Sequence, residues 1–440
     1  MSKVVDMKAN KGKEKITVKK IFQEHWDQFR KEKWSGIPLD MQKSVEETVT
    51  KMLGCGDPKN GYTKYVCTEC GEEKVVGFTC KSRFCNSCGK VYIENWVNKQ
   101  VENIIETPHR HAVFTVPAEI RGKIYWNKRL IKDMSDRVAG LIERWYKQRN
   151  KGLDYRVGII TVVHTFGRDL KFNPHIHALV TEGALDKYNV WKPVGYIPYE
   201  YLRKAWQKVL LDLMKEKYGH ETKMKNLINM LYHRYPKGFY VHAGTRMRDA
   251  RGAAQYIGRY LARPAIAEYR IIKYDGQNVR FWYEDHNTGK REEVELSALE
   301  FIGKLVMHIP PKYFKMVRRY GLYQRNKNNQ AQKIVSLWNY VKTKERKKTK
   351  KNKSRKLTWK ERIKKEFSDN PTACPKCRCE MELWEIWHPK YGYIYDFSKD
   401  GPEVRENEQN EERRRPGLVR QGTIRRRGTG GVLQLSLQAV

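Results

Sequence analysis

Residues 164–183 read HTFGRDLKFNPHIHALVTEG, and the architecture of the chain can be worked out from this stretch. The apolar run VGIITVVHTF (157–166) predicts a buried strand, and PHIHALVTEG (174–183) predicts a second one. The polar loop between them, GRDLKFN, is short enough for the two strands to pair as an antiparallel hairpin. The chain is therefore expected to have an antiparallel sheet near its centre.

The second strand carries two histidines, His175 and His177, separated by one apolar residue. Side chains two apart in a strand point to the same face, so both imidazoles can bind one metal ion. If the hairpin turns near residues 169–170, His164 lies opposite His175 on the neighbouring strand. His164 is then either a third metal ligand or a hydrogen-bonded core histidine.

The surrounding sequence alternates between helical and extended patterns. Helices are predicted at 18–34, 124–149, 199–217 and 249–263, strands at 111–117 and 238–244, and a further hairpin turning at 275–276. Because the strand pairs are joined by short loops, we predict an α+β fold in which helices flank an antiparallel sheet.

The predicted helix 249–263 contains Tyr256 and Tyr260, which are four apart and therefore share one face. Such a pair usually serves packing, but a tyrosine hydroxyl can also attack a phosphodiester and keep the DNA end as a covalent ester. Arg259 and Arg263 lie at helical spacing from the two tyrosines and are candidate DNA contacts. Lys171 in the hairpin loop is a third candidate. The free tyrosine pKa of about 10 means that the nucleophile needs help, which a metal ion can supply.

Six cysteines fall in one segment with the spacing of a metal module: Cys55, Cys67, Cys70, Cys80, Cys85 and Cys88. Two C-x-x-C knuckles can complete one tetrahedron, so Cys67, Cys70, Cys85 and Cys88 are the predicted ligands of a structural Zn²⁺. For Cys55 and Cys80 three roles remain open: replacing a ligand, helping to bind a second zinc, or being buried thiols.

A second cysteine group, Cys374, Cys377 and Cys379, lies far along the chain. It supplies one knuckle, and His388 could complete a site with it. From the sequence, a complete metal site here and an incomplete one are equally plausible.

The charge balance identifies the class of partner. The chain has 440 residues with 88 Lys and Arg against 50 Asp and Glu, a formal net charge of +38. Such a field attracts a polyanion through phosphate contacts, so a nucleic acid is the expected partner and a membrane surface a distant second. The alternative on charge alone is a ribosome-associated or non-specifically adhesive basic protein. The N-terminus MSKVVDMKANKGKEK has no apolar run after its charges and is no secretory signal, so we expect a cytoplasmic protein. A phosphate-binding G-x-x-x-x-G-K-[ST] loop is absent from the sequence.

The motifs together resemble the HUH single-strand endonucleases, and among them the two-tyrosine rolling-circle transposases of the insertion sequence 91 family. Five parts carry the resemblance in family order over about residues 40–325: SRFCNSC, HAVFTVP, HTFGRDLKFNPHIHALVTEG, YIGRYLARPAI and FIGKLVMHIPPKYFKMVRRYGLY. The resemblance implies that His175 and His177 bind the catalytic metal, Mg²⁺ or Mn²⁺, and that Tyr256 and Tyr260 are the nucleophiles. It also implies a 5′-phosphotyrosine intermediate on single-stranded DNA, with a host helicase or the replication machinery as further partners.

These patterns predict six segments along the chain. They are an N-terminal helical arm (1–36), a zinc-binding domain (37–110), an HUH-like nuclease domain (111–325), a basic linker (326–372), a small cysteine module (373–396) and a disordered tail (397–440). Two other readings stay open: a plasmid replication initiator or relaxase of the same chemistry, and a non-catalytic zinc-dependent DNA-binding regulator. The regulator interpretation does not explain why the histidine pair and the tyrosine pair are present.

Overall fold

The structure is a computed structural model that describes residues 16–89, 97, 103–149, 152–194, 198–242, 246–261, 264–285, 288–325, 327–344, 370 and 372–400. The chain divides into two compact units. The first contains residues up to 56 and 79–355, and the second joins residues 57–78 to the C-terminal segment from 356 onward. This division differs from the predicted segments, because the cysteine-rich region 37–110 contributes to both units.

The first unit is built around a seven-stranded antiparallel sheet. Its strands are β3 (His109–Thr115), β4 (Arg156–Phe166), β5 (Phe172–Leu185), β6 (Trp191–Pro193), β7 (Val241–His242), β8 (Arg246–Met247) and β12 (Val317–Gly321). The order is β12-β4-β5-β3-β7, with β6 paired to β5 and β8 to β3. The predicted hairpin therefore forms the β4–β5 pair near the middle of this sheet.

Helices cover both faces of the sheet, because the apolar side chains of its strands point to both sides. One face packs against the helices α3 (Ala118–Trp126), α4 (Leu130–Arg149), α5 (Tyr199–Tyr218) and α6 (Thr222–Arg234). The other face packs against α7 (Ala250–Leu261) and α9 (Asn328–Lys344). In β4, Ile159 and Val163 belong to the first core, whereas Ile160 and Val162 belong to the second. This alternation is what a strand buried on both faces requires.

A further apolar core lies within the first unit and contains the N-terminal helices. Its elements are α1 (Val18–Lys33), α2 (Leu39–Leu53), the three-stranded sheet β9 (Ile271–Tyr274), β10 (Asn278–Glu284) and β11 (Arg291–Ser297), and the helix α8 (Ala298–Val306). Cys85 and Cys88 are buried in this core. The knuckle that contains Cys85 and Cys88 therefore packs against helices and strands of the first unit.

The second unit is a four-stranded antiparallel sheet of order β14-β13-β1-β2. The strands are β1 (Tyr62–Val66), β2 (Glu73–Gly77), β13 (Glu382–His388) and β14 (Gly392–Asp396), and the short helix α10 (Phe397–Asp400) follows. The central pair, β1 and β13, brings together segments about 320 residues apart, with Tyr62 opposite Trp387.

The predicted α+β class is confirmed, and most predicted elements lie where the sequence placed them. The predicted helix 124–149 is interrupted after Trp126, so α3 and α4 take its place. Residues 328–344 form α9 inside the segment predicted as a basic linker, and residues 401–440 of the predicted tail lie outside the described residues. Among the helices that the structure describes, none combines the length and the apolar character that crossing a membrane requires.

Gly321 closes the sheet at the end of β12, where it lies opposite Gly158 of β4. Its φ is +56°, and a Cβ added there would lie 1.9 Å from the Val157 carbonyl oxygen. Because backbone cannot move out of the way, we expect Gly321→Ala to lower the free energy of unfolding by about 2–4 kcal/mol in urea titrations.

The matched control is Gly140→Ala in α4. Apart from its chain neighbours and the backbone of its own helix, an added Cβ there would have no described atom within 4 Å. Alanine in a helix interior should raise the free energy of unfolding by up to about 1 kcal/mol. Equal effects of the two substitutions would contradict the close approach between β12 and β4.

Candidate active site and zinc sites

Strand alternation places the histidines of three neighbouring strands on one face of the sheet. Ile176 and Ala178 of β5 point into the core beneath α4, so His175 and His177 point to the opposite face, toward α7. Register places His164 of β4 directly opposite His175, as the sequence predicted.

The three imidazoles converge closely enough to share one ion. One ring nitrogen from each of His164, His175 and His177 lies within 4.8 Å of the other two. His164 Nδ1 lies 3.2 Å from His175 Nε2. The His175 Nδ1 hydrogen bonds to the Asn173 carbonyl at 2.6 Å, which leaves the lone pair of Nε2 for a metal.

The environment keeps the rings of His175 and His177 uncharged, which is the form that binds metal. Burial lowers the pKa of His177 well below its usual value, and the charges of neighbouring imidazoles act in the same direction. Burial also lowers the pKa of His175, and Arg121 contributes in the same direction. At neutral pH both side chains are therefore ligands without a proton to displace.

His111 of β3 is a site residue that the sequence analysis did not identify. Its Nε2 lies 2.9 Å from Nδ1 of His177, and its Nδ1 lies 3.3 Å from the Tyr256 hydroxyl. Its ring meets the Tyr256 ring edge-on, with 4.7 Å between centroids. Burial lowers the pKa of His111 to about 3, so the ring is neutral and links the histidine cluster to the tyrosine.

A sequence signal for His111 exists in the alternation of HRHAVFT. Ala112 and Phe114 belong to the core beneath α4, which assigns His111 to the opposite face. What the sequence does not reveal is that β3 is the strand next to β5, where Val113 lies opposite His177. Without that pairing, His111 is one more strand histidine.

For several of the other predicted site residues, the structure does not describe the side chain. Tyr256 is half-buried on α7, and Tyr260 lies one turn further along the same helix, but its side chain is outside the described residues. The Arg259 side chain and all of Arg263 are likewise outside them. Lys171 is exposed in the β4–β5 loop and forms an ion pair with Asp169 at 3.0 Å.

The cysteines require a correction, because the four predicted ligands do not form one cluster. Cys85 and Cys88 group with Cys55 and Cys80, whereas Cys67 and Cys70 group with two cysteines of the C-terminal segment. The reason is topological: Cys67 and Cys70 lie in the turn between β1 and β2, which belongs to the other compact unit.

The cluster of Cys55, Cys80, Cys85 and Cys88 has the chemistry of a structural zinc site. The Sγ atoms of Cys55 and Cys80 each lie 3.5 Å from that of Cys88, and all four lie within 4.8 Å of one another. Hydrogen bonds from the thiols of Cys80 and Cys88 lower the pKa of Cys85, whereas hydrogen bonding with Cys85 raises the pKa of Cys80. Four thiolates fit one tetrahedral Zn²⁺ and leave no open position for catalysis.

This cluster is linked to the chain that follows the tyrosine helix. The Asn86 side-chain amide, within the knuckle, donates to the Ile266 carbonyl at 3.1 Å. Ile266 is buried in the same core as Cys85 and Cys88. Arg83, Phe84 and Asn86 also line a cavity together with His164 and Pro264. The knuckle therefore supports the segment that follows the tyrosine helix.

Comparison with known proteins identifies the family. The family "Transposase zinc-binding domain" matches residues 21–116, and the family "Putative transposase" matches residues 158–331. The chain is 33% identical over 288 residues to "Transposase for insertion sequence element IS801" of Pseudomonas savastanoi pv. phaseolicola, covering 62% of this chain and 69% of that relative. The chain belongs to the insertion sequence 91 family of transposases.

A second relative extends the match along the transposase. It is "Putative transposase y4qJ" of Sinorhizobium fredii, 24% identical over 337 residues, which cover 72% of this chain and 83% of the relative. No solved structure matches the chain. The family assignment makes DNA the partner of this transposase and confirms an N-terminal zinc-binding domain.

Proposed function

We propose that this transposase cuts and rejoins single-stranded DNA through a tyrosine ester, assisted by a divalent metal held by His164, His175 and His177. The observation that carries the proposal is the face of the sheet that brings these imidazoles, His111 and the Tyr256 hydroxyl together. A hydroxyl nucleophile adjoining a metal-binding cluster is the arrangement that phosphodiester transfer needs.

The three imidazole nitrogens of the proposed site determine which metal ion it would prefer. Three neutral imidazole nitrogens suit first-row transition-metal ions better than Mg²⁺, which takes oxygen ligands. Of the two ions expected from the sequence, Mn²⁺ therefore fits the residues better than Mg²⁺. When bound, such an ion supplies Lewis-acid polarisation of the scissile phosphate.

His111 has a defined protonation pattern if His177 binds metal through Nε2. The neutral His177 ring then carries its proton on Nδ1 and donates it to Nε2 of His111, 2.9 Å away. His111 must then carry its own proton on Nδ1, the atom 3.3 Å from the Tyr256 oxygen. His111 would therefore donate a hydrogen bond to Tyr256, which stabilises the tyrosine oxygen as it gains negative charge.

The transfer step balances as an exchange of esters. The Tyr256 oxygen attacks the phosphorus, the bond from phosphorus to the 3′ oxygen breaks, and the DNA is left with a 5′-phosphotyrosine link. The tyrosine gives up one proton and the departing 3′ oxygen gains one, so a free 3′-hydroxyl results. Because the ester retains the energy of the broken bond, a later attack by a 3′-hydroxyl can rejoin strands without ATP.

The second tyrosine would allow two DNA ends to be held during one transfer. Tyr260 lies four residues after Tyr256 on α7, which places the two Cβ atoms about one turn apart. One tyrosine could cut the donor strand while the other accepts the second end. Single-stranded DNA is the proposed substrate, and a host helicase or the replication machinery would supply it.

The metal assignment is tested by His175→Ala and His177→Ala. Removing an imidazole should slow cleavage of a single-stranded oligonucleotide carrying the element's terminal sequence by about a thousandfold or more. Binding of the same oligonucleotide should change by less than about twofold, because affinity rests on many Lys and Arg contacts to phosphate. His233→Ala, an exposed histidine on α6 that bonds the Asn229 carbonyl, is the control. Wild-type cleavage by the double variant would refute the assignment.

The nucleophile is tested by Tyr256→Phe, Tyr260→Phe and the double variant. Phenylalanine keeps the ring and its packing while removing only the attacking oxygen. We expect the double variant to form no covalent protein–DNA adduct on a denaturing gel, with DNA binding retained. A persisting adduct means that the nucleophile lies elsewhere. Full transposition by Tyr260→Phe would replace the two-tyrosine scheme with a single-tyrosine one.

The role of His111 is tested by comparing His111→Leu with His111→Gln. A glutamine amide can accept from His177 through its oxygen and donate to Tyr256 through its nitrogen, whereas leucine can do neither. We expect leucine to lower kcat about 10–100-fold and to raise the Mn²⁺ concentration needed for half-maximal rate, with glutamine recovering much of both. Equal losses in the two variants would indicate packing alone.

A further inference from the structure

Cys67 and Cys70 lie beside Cys374 and Cys377, although about 300 residues separate the pairs. The Sγ atoms of Cys67 and Cys377 are 3.4 Å apart, and those of Cys70 and Cys374 are 3.5 Å apart. All four sulfurs lie within 4.8 Å of one another. A disulfide would need about 2.05 Å, whereas sulfurs on a tetrahedral zinc with bonds of about 2.3 Å are ~3.8 Å apart.

The backbone around the two pairs follows one pattern. In the first, Cys67 N donates to the Glu72 carbonyl at 2.9 Å, and Gly71 N donates to the Cys67 carbonyl at 2.9 Å. In the second, Cys374 N donates to the Cys379 carbonyl at 2.8 Å, and Arg378 N to the Cys374 carbonyl at 3.1 Å. The offsets within the chain are identical.

Each turn also closes through a residue with positive φ directly after its second cysteine. Gly71 has a φ of 70° and Arg378 a φ of 66°. A non-glycine residue rarely adopts this conformation unless the surrounding structure imposes it. The second turn therefore reproduces the knuckle geometry of the first at the cost of an unfavourable arginine conformation.

The second unit has a small apolar core beneath its sheet. Its apolar cluster, among the described residues, consists of Cys67, Cys374 and Met381, with Tyr65 and Cys70 packed against it. A unit with so small a core usually needs a metal or disulfides for stability. The ligand thiols are themselves most of the core.

We propose that Cys67, Cys70, Cys374 and Cys377 form a second structural zinc site, split between the two ends of the chain. The zinc would fasten the C-terminal segment to the β1–β2 hairpin, reinforcing the pairing of β1 with β13. Half of its ligands lie outside residues 21–116, the range of the family's zinc-binding domain. The ligand class is a thiophilic divalent ion, with all four positions filled by protein.

The test is zinc content of the purified full chain by elemental mass spectrometry. Wild type should contain two zinc ions per chain. Cys67→Ser/Cys70→Ser and Cys374→Ser/Cys377→Ser should each contain one, and the variant with all four substitutions should also contain one, because both pairs serve the same ion. Cys379→Ser, an exposed cysteine outside the cluster, is the matched control and should contain two.

Two results would overturn the proposal: Cys374→Ser/Cys377→Ser keeping the wild-type zinc content, or the quadruple variant losing two ions where each pair loses one. If the serine pairs do not fold, the folded wild-type chain decides, because it should contain two zinc ions and a content of one zinc per chain would overturn the proposal. The measurement does not depend on DNA cleavage, so it stands apart from the proposed function.

Discussion

The register between β4 and β5 is the constraint on which the rest of the structure depends. It places His164 opposite His175 and leaves Ile176 and Ala178 in the core beneath α4. A slip of β5 by one residue would turn His175 and His177 into that apolar core. Because both faces of these strands are buried by helices, the register is held by packing on either side. The positions of the histidines are therefore set by the packing of the fold.

Residues on neighbouring elements connect the histidine face to the rest of the site. His111 on β3 contacts both His177 and Tyr256, so one imidazole joins the histidine cluster to the tyrosine helix. On the other side, Asn86 of the first cysteine cluster holds the carbonyl of Ile266, just beyond that helix. A zinc ion held by four thiolates there would have no open position for chemistry, and it would fix the loop from which Asn86 contacts Ile266.

Sequence reasoning recovered what depends on local periodicity. The β4–β5 hairpin, the opposition of His164 and His175, and the helix that carries Tyr256 all follow from alternation and short loops. It failed where the partner is distant in sequence. His111 acquires meaning only once β3 is known to lie next to β5. Cys67 and Cys70 were paired with the nearest second knuckle, whereas the fold pairs them with Cys374 and Cys377. Cysteine spacing identifies each C-x-x-C knuckle, but it does not identify the second knuckle with which that knuckle forms a cluster.

The central claim is that the tyrosine beside the histidine face becomes covalently attached to DNA. Its most direct measurement is peptide mapping by mass spectrometry after the full chain reacts with Mn²⁺ and a single strand carrying the element's terminal sequence. The account predicts a nucleotide joined through its 5′ phosphate to the peptide that contains Tyr256 and Tyr260. A nucleotide on any other residue, or cleaved DNA with both ends free of protein throughout the reaction, would contradict it.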